Sequence, residues 1–75
     1  SEGASSYIKR KELFEARKTA VEAEIKHLEK TLALLKFKCW YYETAMADGS
    51  EENLNAMLPD NLPPQIQALY DKGHE

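Results

Sequence analysis

The sequence predicts an all-α fold: one long helix over about residues 6–47 that forms an antiparallel coiled-coil homodimer, followed by two short helices over about 51–58 and 64–72 packed at its end. Three observations carry this. Between Ser6 and Ala47 there is no Gly or Pro, and good helix formers (Ala, Leu, Lys, Glu, Arg) predominate. Apolar residues recur there every seven positions, at Phe14, Val21, Leu28, Leu35 and Tyr42, with a second series four residues after these at Ile25, Leu32, Cys39 and Met46, preceded by Lys11 and Lys18. The tail is then punctuated by Asp48-Gly49, Pro59 and Pro63-Pro64, which leave two short stretches with one apolar side each.

Ser5 or Ser6 is the expected N-cap of the long helix, and Asp48-Gly49 its stop. Residues 1–5 read as an unstructured start. The chain begins at Ser1 without Met or an apolar leader, so it carries no secretory signal pattern and reads as a segment of a longer protein. The expected 42-residue helix would be roughly 63 Å long at about 1.5 Å per residue. The remaining 28 residues cannot cover such a rod, so the seam needs a second chain. Each large apolar side chain left bare would forfeit about 1.5–3 kcal/mol.

The direction of that second chain turns on Lys18. In a parallel pair Lys18 and Lys11 each meet their own copy at the seam. In an antiparallel pair centred near residue 30, the layers become Ile25 with Leu35, Leu32 with Leu28, Cys39 with Val21 and Met46 with Phe14, and Lys18 lies beside Tyr42. There its ammonium reaches solvent or the ring. The expected interface is therefore Phe14, Lys18, Val21, Ile25, Leu28, Leu32, Leu35, Cys39, Tyr42 and Met46, in antiparallel register.

A two-stranded seam does not account for the apolar residues that multiply after residue 33. Leu34, Phe37 and Tyr41 form a second stripe, bordered by Trp40. Ser50 as N-cap opens the first tail helix, whose apolar side is Leu54, Met57 and Leu58. Pro64 opens the second, with Ile66, Leu69 and Tyr70 on one side and Gly73 at the stop. Helices this short do not stand alone, so both are expected to fold back on the aromatic end. Leu34, Phe37, Trp40, Tyr41, Met57 and Tyr70 form the expected effector or docking face.

The run from His27 to Glu43, ending Phe37-Lys38-Cys39-Trp40-Tyr41-Tyr42-Glu43, resembles the dimerisation helix of MerR-family bacterial transcription regulators, and Glu12-Leu13-Phe14-Glu15-Ala16-Arg17 resembles the start of that helix. The resemblance covers about Lys11 to Ala45. It implies an antiparallel homodimer, an N-terminal winged helix-turn-helix domain that binds DNA and is absent from this segment, and a C-terminal segment that senses a small-molecule effector. A structural coiled-coil adaptor, whose aromatic helix end and tail dock another protein, is the alternative.

Charge is unevenly placed: nine Lys or Arg against seven acids from Ser1 to Ala47, then one Lys against six acids to Glu75. Lys9-Arg10-Lys11 is the one cationic cluster, too sparse for DNA contact by this segment itself. No run of apolar residues is long enough to span a bilayer, and the acidic tail argues against a membrane surface. A single cysteine, Cys39, excludes an internal disulfide and suits a reducing, cytoplasmic setting; on the seam it reads as packing. His27 and His74 lack a third ligand at useful spacing, so neither metal nor cofactor is expected. No nucleophile–base pair, paired acids or phosphate loop appears, so no enzyme activity is expected either.

Overall fold

A computed structural model describes residues 3–75, and they form three helices with no strand. α1 spans Gly3–Asp48, α2 Glu52–Met57 and α3 Pro64–Gly73. The all-α class and the two short tail helices agree with the sequence. The start of α1 does not. Ser5 and Ser6 lie inside the helix, so neither caps it, and Gly3–Ser5 are helical where an unstructured start was expected. No Gly or Pro follows Gly3 to interrupt the ladder, and Ser costs only a few tenths of a kcal/mol inside a helix. Residues 1 and 2 of that expectation lie outside the described residues.

The far end of α1 stops at Gly49, whose φ of 74° is the left-handed conformation that glycine adopts without a Cβ penalty. Its N–H donates to the Ala45 carbonyl at 2.9 Å, closing a left-handed C-terminal cap on α1. The chain then reverses. The Glu52 N–H donates to Ser50 Oγ at 3.4 Å, so Ser50 serves the first turn of α2 from one residue outside its cap position. Leu58 is extended (ψ 145°), the conformation imposed on a residue before proline, and α2 ends there. Pro64 occupies the first turn of α3, where its missing N–H costs nothing.

α3 runs antiparallel to α1. Going along it, Tyr70 meets Phe37, Gly73 meets Leu34, and the Glu75 carbonyl accepts from Lys30 Nζ, so numbers rise in one helix as they fall in the other. Leu54, fully buried, anchors α2, and Leu62 is buried in the connection before α3. Gln67 holds that connection closed: its Oε1 accepts from the Leu62 N–H at 3.1 Å, while its Nε2 donates to the Pro59 carbonyl at 2.8 Å and to Asp71 Oδ1 at 3.0 Å. The described core is small: Ala33, Phe37, Leu54 and Leu62.

Below about residue 30, α1 has no other described element of the chain beside it, and the molecule measures 73 × 20 × 14 Å. Its radius of gyration is 21.1 Å, where a compact chain of this length would have about 11 Å. A rod with a small cluster at one end is the whole architecture.

Candidate interaction surfaces

Two surfaces follow from α1, on opposite sides of it. At 3.6 residues per turn, Ala33, Leu34, Phe37 and Tyr41 share one face, and Leu28, Leu32, Leu35, Cys39, Tyr42 and Met46 share the other.

The first face is occupied by the tail. Phe37 is buried, and its ring meets Tyr70 edge-on at 5.2 Å, with Tyr41 at 6.0 Å and Trp40 at 6.2 Å. Edge-to-face contacts of this kind add about 0.5–1.5 kcal/mol beyond the area they bury. Leu34, Trp40, Tyr41, Met57 and Tyr70 are half-buried. His74 stacks on the Tyr70 ring at 4.0 Å, with Nδ1 2.7 Å from the Tyr70 carbonyl oxygen. The Tyr41 hydroxyl donates to Asn55 Oδ1 at 3.2 Å, which ties α2 to α1. The Glu51 carboxylate, chiefly as a competing acceptor of the same hydroxyl proton, then burial, then the charge of Glu51, raises the Tyr41 pKa above the ordinary tyrosine value. Of the six residues expected as an effector or docking face, Phe37 meets Trp40, Tyr41 and Tyr70, and Leu34 lies against Gly73, while Met57 is half-buried in α2; on the α1 side it is the chain's own tail that covers the face.

Two shallow depressions flank this cluster. One, of about 200 Å³, lies between α1 and α3 and is lined by Glu29, Leu32, Ala33, Lys36, Leu69 and Lys72. The other, of about 240 Å³, is lined by Ala23, Lys26, His27 and Lys30. Neither is lined by the aromatic residues. Among the described residues, no group of three His, Cys, Asp or Glu could hold a metal ion, and no helix is long and apolar enough to cross a membrane.

The second face is bare. Phe14 is 69% exposed, Leu28 63% and Met46 83%; Ile25, Leu32, Leu35, Cys39 and Tyr42 are exposed as well, and Val21 is half-buried. Lys18 lies in the same row, exposed. One step of seven before Phe14, the same row reaches Tyr7, which is 68% exposed. Ile8 and Leu13 are also exposed but lie outside both series. Leu62 and Gln67 are the other residues the sequence did not single out. Leu62 is the one apolar residue in an Asn-Leu-Pro-Pro connection, a signal that could have been used; the triple role of Gln67 has no local signature.

The amount of uncovered surface is large. A compact monomer of 8.6 kDa would expose about 4,700 Å². This chain exposes 6101 Å², roughly 1,400 Å² more. A standard protein–protein interface takes about 800 Å² from each partner. No protein-family model matches the chain, and no curated protein or solved structure is significantly similar to it.

Proposed function

We propose that this chain is the dimerisation region of a MerR-like transcription regulator, with the docked tail as its effector-facing segment and the DNA-binding winged helix-turn-helix domain encoded upstream. One observation carries the reading: α1 leaves a long apolar row, interrupted by Lys18, largely bare on the face opposite its own tail. The tail borders this row only at Leu32, which rims the depression beside α3 and is still 52% exposed, so a second copy of α1 can lie along it. Antiparallel pairing keeps Lys18 from meeting Lys18 and sets it beside Tyr42 of the second copy. The resemblance of the His27–Glu43 run to the family's dimerisation helix supports the same orientation. In such a regulator the coil spaces two DNA-reading domains, and the aromatic end of α1 lies where effector and promoter states are coupled.

Sedimentation equilibrium at micromolar concentration tests the pairing: a dimer is expected, and a clean monomer would sink the proposal. Val21→Cys tests its direction. With Cys39 free, antiparallel layers bring the thiol introduced at position 21 opposite Cys39 of the second copy, so mild oxidation gives a 21-to-39 cross-link. Native chains cross-linking 39-to-39 within the dimer would instead show parallel strands. Reading the gene upstream of Ser1 separates the regulator from a coiled-coil adaptor: a helix-turn-helix pattern supports the former, and its absence the latter.

A further inference from the structure

We infer that the basic triplet Lys9-Arg10-Lys11 of one copy clamps the acidic corner Asp48, Glu51 and Glu52 of the second copy, and that this charge pairing at both ends of the coil fixes its antiparallel direction. The inference rests on the antiparallel reading above and adds a surface to it. Layers that pair Ile25 with Leu35 and Met46 with Phe14 place Glu12 level with Asp48 of the second copy and Lys11 at its Gly49, with Arg10 and Lys9 reaching past that helix end over the turn that carries Glu51 and Glu52. The first turns of α1 therefore overhang the end of the second copy's α1, which stops at Asp48.

What waits there is negative in two ways. Asp48, Glu51 and Glu52 are all exposed, as are the three basic residues. The last turn of α1 contains no basic residue of its own and ends on an acid, against the preference of a helix C-terminus for cations. Beyond Gly49, the corner leads into the first turn of α2, where Glu52 sits. Within one chain the triplet cannot reach this corner. From Arg10 to Asp48, 38 residues of helix span about 57 Å, far beyond the roughly 8–10 Å over which exposed charges act at physiological salt. Lys11 is held by an exposed ion pair with Glu15 at 3.5 Å, which costs little to exchange. In a parallel pair the two triplets would face each other at one end and the two acidic corners at the other. Charge thus favours the antiparallel pair at both ends and opposes the parallel one at both.

A charge-reversal cycle on the full chain tests this. The triple variant Lys9→Glu/Arg10→Glu/Lys11→Glu should weaken the dimer roughly tenfold at low salt, because several exposed pairs turn repulsive at each end. Asp48→Lys/Glu51→Lys/Glu52→Lys should weaken it similarly. The six-fold combination should return to within about twofold of the parent, and the parent's salt dependence should change sign in either triple variant, where salt screens a repulsion. Circular dichroism confirms that α1 forms in each; Glu is as good a helix former as Lys or Arg. The clamp is overturned if the first triple variant dimerises as tightly as the parent at low salt, or if the combination fails to recover. If the 21-to-39 cross-link still forms in that case, the antiparallel coil stands and only the clamp falls. If it does not form in the otherwise native chain, both fall.

Discussion

Two side-chain-scale features hold the tail on α1, and each can be removed alone. A Cβ on Gly73 would lie 3.0 Å from Leu34 Cβ and 3.1 Å from Leu34 Cα. The obstacle includes α1 backbone, which cannot rotate away, so α3 must shift from α1 by a few tenths of an ångström. Gly73→Ala is expected to cost about 1–3 kcal/mol of tail docking, the usual penalty of overpacking. Near-UV circular dichroism from the Phe37–Tyr70 cluster should fall, and the emission of Trp40, the chain's one tryptophan, should shift to the red. Unchanged spectra would mean that α3 does not approach α1 this closely in solution. The second feature is the phenol of Tyr41. Its pKa is raised in the docked state, so docking retains a proton that the undocked chain releases near the ordinary value of about 10. The resulting stability is fully present below that value and is lost as pH climbs through the raised one. Ionisation of Tyr41 should therefore weaken tail docking on the alkaline side. Glu51→Gln removes the main cause of the shift, and the Tyr41 step in a tyrosinate absorbance titration should move down toward the ordinary value.

Among the elements, α1 separates two tasks that a compact domain would mix. The tail lies on the face carrying Ala33 and Phe37, and the bare seam lies on the other, so loosening the tail should leave pairing intact. Tyr70→Ala removes the ring that meets Phe37 and should abolish much of the near-UV signal. The dimer constant should change by no more than about twofold, as expected for sites without shared partners. A tenfold weakening would instead make α3 part of the pairing surface. This division was half legible from the residues. The exposed apolar row showed itself as a repeat of seven, and the second stripe as apolar residues that the repeat did not need. Pro59, Pro64 and Gly73 marked the tail helices because their backbone demands are local. The start of α1 was misplaced since two serines can cap a helix or continue it, and only the surrounding chain decides. Leu62 and Gln67 escaped for a different reason. Their importance comes from closing a connection against α3, a contact between segments that no periodicity encodes.

At the scale of the whole molecule, the distribution of surface is the feature with the most consequence. A chain of 75 residues that builds a rod cannot be stabilised by its own core along most of its length, and helices in proteins draw most of their stability from packing rather than propensity. If the proposed pairing holds, it stabilises α1 below residue 30, and the melting temperature should rise with protein concentration by mass action. The direction of pairing also sets a length. In the antiparallel register, residue 48 of one copy is level with residue 12 of the other, so each helix, starting at Gly3, overhangs its partner by nine residues. Two such helices together span the equivalent of about 55 residues, about 83 Å at 1.5 Å each. An in-register parallel pair would be no longer than the single chain, 73 Å. Small-angle scattering on the dimer should therefore return a maximum dimension clearly above the single-chain length, with the two tail clusters on either side of the midpoint of the rod, about 27 Å apart along it. A dimer no longer than one chain, with both clusters at one end, would require the parallel arrangement and would remove the basis for the charge clamp as well.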